Sequence, residues 1–420
     1  MTWTSDPSLI SADGVLEDLY RADWGRLLSL LVSRTRRLDL AEDALSEAFA
    51  RAATRWRGEG IPANPAGWLY TTAHRHILGR LRAEAIAGRK APLLTVGASW
   101  EPPVDPPDEL ADDRLQLILL CCHPALPRES RSALALRLIL GVSTVQIARL
   151  FLVPPPTMSA RLTRAKKKIV LAGIPLDAPV ADELRSRLDE VCRTIYLAFT
   201  AGYTPTEGEQ LLRVELAGEA VRLATALHEL APDAPQVQAM RALLVLQHSR
   251  RDTRELDGQL VTLAEQDRSQ WHRDEIRLGL DLLGDCAVTD GYAEELRLQA
   301  AIAGEHARAA APDETDWQAI AELYADLEVH TGSPVVRLNR AVAVAEADGA
   351  AAGLQLLTGL DQLLPNSHRL AAVRAELARR GGEIDLARRS LGEAISLCAN
   401  DVERAHLRAR LGTIDADAAT

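Results

Sequence analysis

The chain has 420 residues, of which 47% are hydrophobic and 25% are charged, and its formal net charge is -11 at pH 7. This length predicts two or three domains with a composition ordinary for soluble proteins. No stretch approaches the roughly 18 unbroken apolar residues of a membrane span, and the N-terminus lacks the basic start and apolar run of a signal peptide. Five scattered cysteines do not suggest a disulfide framework. We therefore expect a cytoplasmic protein with no membrane partner.

The net charge conceals a division along the chain. Residues 1–171 hold 23 Lys and Arg against 18 Asp and Glu, whereas residues 172–420 hold 25 against 41. From Ser130 to Pro175 there is no carboxylate, although eight cationic side chains lie in that stretch. Such asymmetry predicts an anion-binding part, most simply a nucleic-acid surface, joined to an acidic part.

Apolar residues recur at helical spacing nearly throughout, and no alternating strand pattern is convincing, so the predicted fold class is all-α. Composition divides the chain into a helical unit at about 13–90, an acidic Pro-rich linker at 91–112, a second small helical unit at 113–172 and an acidic helical region at 180–415. Within the last region, Ala341 aligns with Ala375 and Gly349 nearly with Gly382. A period near 34 indicates tetratricopeptide-like (TPR-like) helix pairs from about residue 334.

In the first unit, "DLAEDALSEAFARAATRW" predicts a helix capped by Asp39. Asp39, Asp43 and Glu47 form an acidic stripe on it, which is either a solvated face or a docking surface for a basic partner. Trp56, near its end, and Trp68, in the next helix, are predicted core anchors.

The following helix, in "GWLYTTAHRHILGRLR", has a buried stripe beginning at Leu69 and an exposed face free of acids. The exposed candidates for nucleic-acid binding are Thr72, Arg75, His76 and Arg82. His74 and His76 lack a neighbouring nucleophile or carboxylate in the sequence, which disfavours a catalytic interpretation.

The second unit contains a predicted helix-turn-helix. Ser143 and Gln146 have the spacing of a capping box at the start of "TVQIARLF". In "VPPPT", residues before proline are pushed out of the helical conformation, so 152–155 should form a tight turn and Pro156 should lie in the first turn of the next helix.

That next helix is strongly amphipathic. Its predicted buried stripe consists of Met158, Leu162, Ala165 and Ile169. The candidate DNA-binding residues on its other sides are Thr157, Ser159, Ala160, Arg161, Thr163, Arg164 and Lys167. A helix that buries one side and offers Arg, Lys, Thr and Ala on the other suits the major groove of DNA. A solvated basic helix is the alternative.

The sequence contains no glycine-rich phosphate loop, no metal-ligand spacing motif and no convincing nucleophile and base. Cys121, Cys122 and His123 are adjacent, but zinc ligands are usually spaced two to four residues apart, so we interpret them as core. We expect no enzyme activity, no cofactor and no metal.

Three segments together resemble the bacterial sigma factors of the extracytoplasmic-function type, within the sigma-70 family. They are "DLAEDALSEAFARAATRW", "NPAGWLYTTAHRHILGRLRAE" and "ALPRESRSALALRLILGVSTVQIARLFLVPPPTMSARLTRAKKKI". The resemblance covers about residues 13–172 and implies sigma domain 2, a linker and a helix-turn-helix domain 4. The remainder, including "EQDRSQWHRDEI", is similar to the long C-terminal extension of a subgroup of these factors.

The resemblance implies roles for the residues described above. Asp39, Asp43 and Glu47 would dock on the largest subunit of core RNA polymerase. Arg75, His76 and Arg82 would read the minus-10 promoter element. The second basic helix would read the minus-35 element through Ser159, Ala160, Thr163 and Arg164, with Arg161 and Lys167 on phosphates.

Two other functions fit the sequence. A polymerase-independent helix-turn-helix regulator with a helical sensor domain would give the acidic stripe no docking role. A repeat scaffold with incidental basic segments would show no sequence preference. For the sigma factor, the acidic extension would regulate it, by covering the basic surfaces or by binding a protein or ligand partner.

Overall fold

A computed structural model describes residues 12–86, 110–151, 153–172, 174, 181–203, 214–256, 259–398 and 401–417. These residues confirm the all-α prediction, since their strands are only two residues long. No helix in the described ranges is both long and apolar enough to cross a membrane.

The helices and strands follow one another along the chain with short connections. The helices of the first half are α1 (Ala12–Thr35), α2 (Leu38–Glu59), α3 (Pro65–Ile86), α4 (Leu110–Cys121), α5 (Arg128–Leu138), α6 (Thr144–Leu150), α7 (Pro155–Leu171), α8 (Ala181–Gly202), α9 (Val214–Leu230) and α10 (Pro235–His248). Two strands, β1 (Glu255–Leu256) and β2 (Gln259–Leu260), follow. The remaining helices are α11 (Arg273–Gly284), α12 (Gly291–Arg308), α13 (Trp317–Thr331), α14 (Pro334–Asp348), α15 (Ala350–Leu356), α16 (Leu360–Leu363), α17 (His368–Arg380), α18 (Ile384–Leu397) and α19 (Asp401–Asp417). Three short 3₁₀ helices lie at Arg251–Thr253, Arg268–Gln270 and Pro312–Glu314.

The chain divides into two compact units, one of Met1–Val237 with Asp257–Leu260 and one of Gln238–Leu256 with Val261–Thr420. The first unit therefore includes α8 and α9, which follow the predicted helix-turn-helix. The predicted linker at 91–112 lies mostly outside the described residues, and its last three positions belong to α4.

The first unit begins with a three-helix core. Trp24 of α1, Leu45 of α2 and Leu69 of α3 are at most 1% exposed, as periodicity predicts for the last two. Asn64 starts α3, because its Oδ1 accepts a hydrogen bond from the Gly67 amide at 2.8 Å and Pro65 occupies the first helical position.

The second unit is built from helix pairs. Helices α14 and α17 begin 34 residues apart, at Pro334 and His368, and each is followed by a further helix. Ala341 and Ala375 are both buried, as their alignment predicts. Gly349 and Gly382 have φ of 95° and 80°, which explains glycine at these two turns, since side chains strain the backbone there.

Candidate nucleic-acid interfaces

The helix-turn-helix forms as the sequence predicts. The Ser143 hydroxyl accepts from the Gln146 amide at 3.2 Å, and the Gln146 Oε1 accepts from the Ser143 amide at 3.1 Å, so the capping box of α6 is confirmed. Helix α7 starts at Pro155, one residue earlier than predicted. Both Pro155 and Pro156 fit there because the first-turn amides of a helix have no intrahelical acceptor.

The two sides of α7 separate as its amphipathic pattern predicts. All four residues of the predicted stripe are buried, with exposures of at most 4%: Met158, Leu162, Ala165 and Ile169. Six of the seven candidate residues are exposed: Thr157, Ser159, Ala160, Thr163, Arg164 and Lys167. Arg161 is half-buried because its guanidinium donates to the Glu129 carbonyl at 3.4 Å.

The exposed side of α7 carries cations and hydroxyls within reach of its own backbone. The Thr163 hydroxyl donates to the Ser159 carbonyl at 3.0 Å, and the Arg164 Nε donates to the Ala160 carbonyl at 3.3 Å. These local bonds orient the two side chains along the helix. The Arg164 terminal nitrogens remain suited to a guanine edge or a phosphate, both of which accept hydrogen bonds from arginine.

A second surface is concave and lies between α2 and α3. It has a volume of about 930 Å³ and is lined by Glu47, Ala50, Arg51, Thr54, Arg55, Trp68, Thr72, Arg75 and His76. The structure thus brings together three of the four candidates predicted on α3, whereas Arg82 does not line the groove. Sequence reasoning missed Arg51 and Arg55, although both lie on the helix face adjoining the predicted stripe, one turn apart.

The groove has one carboxylate and several cations in its lining. Glu47 accepts from the Arg51 guanidinium at 2.9 Å, and both side chains stay about half exposed. This exposed pair adds little to stability. Arg55 and Arg75 give the groove a net positive lining that suits a phosphate backbone.

The two tryptophans have different environments. Trp56 is 3% exposed, which confirms its prediction as a core anchor. Trp68 is half-buried and lines the groove, with its ring 5.5 Å from Trp56 in an edge-on arrangement, so the prediction of a purely structural role is wrong in part. A base stacks well on such a supported ring.

The acidic stripe of α2 is only partly as predicted. Helix α2 begins at Leu38 with Arg37 at the cap position, so Asp39 is not the N-cap. Instead, Arg37 donates to both Asp39 oxygens at 2.9 and 2.8 Å. Burial alone would raise the pKa of Asp39, but these hydrogen bonds hold it below the usual value of 3.8. Asp43 is fully exposed and Glu47 half-buried.

The histidines and cysteines of this unit have structural environments. His74 stacks on Tyr70 with ring centroids 5.8 Å apart, and burial together with Arg34 lowers its pKa. Cys121 and Cys122 are at most 1% exposed, as the core interpretation predicts. Burial raises the pKa of Cys122 to about 12, so this thiol stays protonated.

Helices α2 and α7 contact each other within the first unit. The Lys166 Nζ lies 2.7 Å from the Glu42 Oε2, and the Trp24 Nε1 donates to the Leu138 carbonyl at 3.1 Å. A Cβ on Gly25 would lie 1.7 Å from the Ile139 carbonyl oxygen, so only glycine permits this approach of α1 to the end of α5.

Helices α8 and α9 pack against the same group of helices. Arg114 of α4 forms an ion pair with Glu219 of α9, and both side chains are nearly buried. The Thr194 hydroxyl of α8 lies 3.0 Å from the Ser132 hydroxyl and 3.5 Å from the Cys122 Sγ. Breaking a buried ion pair of this kind by removing one partner typically costs about 3–5 kcal/mol.

The fold and the two cationic surfaces are those of a transcription initiation factor, and comparison with known families agrees. Residues 19–85 match sigma-70 region 2 and residues 116–169 match sigma-70, region 4. The chain belongs to the sigma-70 family, whose members regulate transcription and are not enzymes.

The rest of the chain also has relatives. Residues 187–287 match a family of unknown function (DUF6596). The chain is 37% identical over 399 residues to an uncharacterized protein of Rhizobium meliloti (strain 1021), covering 94% of each protein. The extension is therefore shared with that relative. No solved structure matches the chain.

Proposed function

We propose that the protein is a sigma factor of the extracytoplasmic-function type, which binds core RNA polymerase in the cytoplasm and directs promoter-specific initiation. The observation that carries the proposal is the pair of cationic surfaces, one in each segment that matches a sigma-70 region. The exposed side of α7 would enter the major groove at the minus-35 element. The groove between α2 and α3 would hold the minus-10 element, with Trp68 as a platform for an unstacked base.

The acidic residues of α2 would dock on the polymerase. Asp43 is exposed, and Asp39 and Glu47 remain accessible on the same face of the helix. Asp39 is already held by Arg37, so we assign most of the docking energy to Asp43 and Glu47.

Competition with a housekeeping sigma factor for core polymerase tests this function without knowledge of the promoter. The full chain should compete, and Asp43→Arg with Glu47→Arg should abolish competition. The matched control is Asp274→Arg with Asp281→Arg, which makes the same charge change at exposed positions of α11. No competition by the full chain, or equal competition by both double variants, would favour a polymerase-independent regulator.

The proposal extends to regulation by the C-terminal region, which we interpret as TPR-like. The minus-35 and minus-10 elements are about 25 base pairs apart by name, or about 85 Å of B-form DNA. Helices α2 and α7, which would serve the two elements, are instead joined by the Lys166–Glu42 ion pair. We infer that this arrangement is closed, and that α8 and α9 stabilise it through Glu219 and Thr194.

Spin labels at two exposed positions, Ala50 of α2 and Lys168 of α7, test whether the arrangement opens. We expect a short distance in the free full chain and a distance longer by tens of ångströms with core polymerase and promoter. A long distance in the free chain, or none gained on binding, would contradict the closed arrangement and leave the competition result unaffected.

A further inference from the structure

A histidine, a cysteine and a glutamate meet near the end of the second unit. His368 is the first residue of α17, Cys398 follows the last residue of α18, and Glu403 lies in the first turn of α19. The His368 Nε2 is 3.2 Å from the Glu403 Oε1. The Cys398 Sγ joins them in a cluster whose ligand atoms all lie within 4.8 Å of one another.

The packing of three helices fixes this cluster. Cys398 is 3% exposed and packs with Ala371, Ala394 and Leu407, which come from α17, α18 and α19 in turn. The Arg404 Nε donates to the Cys398 carbonyl at 3.0 Å, which ties the start of α19 to the end of α18. The thiol therefore has a fixed position, whereas the side chains of His368 and Glu403 are 27% and 44% exposed.

The donor set has a definite chemical preference. An imidazole nitrogen, a thiolate and a carboxylate suit Zn²⁺, and a thiolate ligand disfavours Mg²⁺ and Ca²⁺. Tetrahedral zinc with these ligands requires ligand atoms about 3.3–3.6 Å apart. A shift of about 1 Å in the two partly exposed side chains reaches that geometry, since the His368 nitrogen and Glu403 oxygen already satisfy it.

We propose that His368, Cys398 and Glu403 bind one Zn²⁺ ion per chain, with water in the fourth position. Bound zinc would join the last helix to the two helices before it. The two negative ligands would neutralise the ion, which favours binding in a largely buried site. An exposed His–Glu ion pair by itself contributes little to stability, so packing alone gives no strong reason for this combination. The proposal does not depend on the sigma function.

Cobalt provides a direct optical test on the full chain after chelator treatment. Titration with Co²⁺ should give a thiolate-to-cobalt charge-transfer band and the visible bands of four-coordinate cobalt, saturating at one ion per chain. Zn²⁺ should then displace it. Cys398→Ser should lose the charge-transfer band, and His368→Gln and Glu403→Gln should each weaken Co²⁺ binding by about 10-fold or more.

The matched control is Cys286→Ala, since Cys286 is the half-buried cysteine of the same unit. It should leave the spectrum unchanged. Because Cys398 is buried, circular dichroism must confirm that the Ser variant folds; if it does not, the two partly exposed variants decide. No charge-transfer band in the folded full chain, a band that follows Cys286, or unchanged affinity in both His368→Gln and Glu403→Gln would overturn the proposal.

Discussion

The two cationic surfaces of the first unit differ in construction. The surface of α7 is convex and belongs to one helix, whose opposite side is buried. The groove between α2 and α3 is concave and exists only because two helices pack. A convex helix face suits the groove of intact duplex DNA, whereas a concave site with a tryptophan suits a strand with unstacked bases. We infer that the first surface reads duplex and the second reads melted DNA.

The largest expected effect comes from removing the support of the convex surface. Leu162→Ala should destabilise the helix-turn-helix by about 2–5 kcal/mol, because Leu162 is 4% exposed and the substitution leaves a cavity. Chemical denaturation of the full chain, followed by circular dichroism, measures this loss. Duplex binding should fall with it.

The matched control for Leu162→Ala is Arg164→Ala, on the exposed side of the same helix. It should change the free energy of unfolding by less than about 0.5 kcal/mol. Equal destabilisation by both substitutions would mean that the two sides of α7 are not divided into support and recognition.

The next effect separates the two kinds of DNA. Arg164→Ala should weaken binding to a cognate duplex by about 1–3 kcal/mol and leave single-stranded binding nearly unchanged. Arg75→Ala, in the groove, should show the reverse preference. Fluorescence anisotropy with one duplex and one single-stranded oligonucleotide measures both.

Lys90 lies outside the described residues, so an exposed arginine of the second unit, Arg277, provides the control for lost positive charge. Arg277→Ala should affect neither binding reaction. If Arg75→Ala and Arg164→Ala weakened both oligonucleotides equally, the surfaces would share one nonspecific electrostatic role.

The same difference in construction explains what the sequence predicted. The buried and exposed sides of α7 follow from the spacing of one helix, so Met158 and Lys167 were assigned correctly to their sides. The groove depends on how α2 meets α3, which single-helix periodicity does not contain. Arg51 and Arg55 were therefore missed, and Trp68 was taken as core.

The zinc cluster was unpredictable for a related reason. His368 is 30 residues from Cys398, and Glu403 follows five residues later, a spacing that matches no zinc motif. Only the packing of α17, α18 and α19 brings these residues together. Motif spacing detects sites on one turn or hairpin and fails for sites assembled by three helices.

The caps of the two regions give a smaller contrast. Ser143→Ala should cost about 1 kcal/mol of stability, since the hydroxyl accepts from the Gln146 amide at the start of α6. Thermal unfolding of the full chain measures it. Ser143→Gly should restore part of the loss, because glycine is also tolerated at this position. A neutral Ser143→Ala would mean that the capping box has no energetic role.

The smallest effect concerns Asp39, whose carboxylate is bound by Arg37 instead of capping α2. Its folded pKa lies below the ordinary 3.8, so the unfolded chain binds more protons between those two values. The stabilisation is present above pH 3.8 and is lost as the pH falls through the folded pKa. Asp39→Asn should thus be less stable than the native chain at pH 7 and equal to it at the lowest pH.

The difference at pH 7 should be below about 1 kcal/mol, because the Asp39 side chain is 34% exposed and water screens the pair. Urea unfolding at a series of pH values measures it, with Asp43→Asn at the exposed position one turn later as control. If Asp39 instead capped the helix, its replacement by Asn would be nearly neutral at every pH, because Asn is an equally good N-cap. A pH-dependent difference therefore separates an ion pair from a cap at this residue.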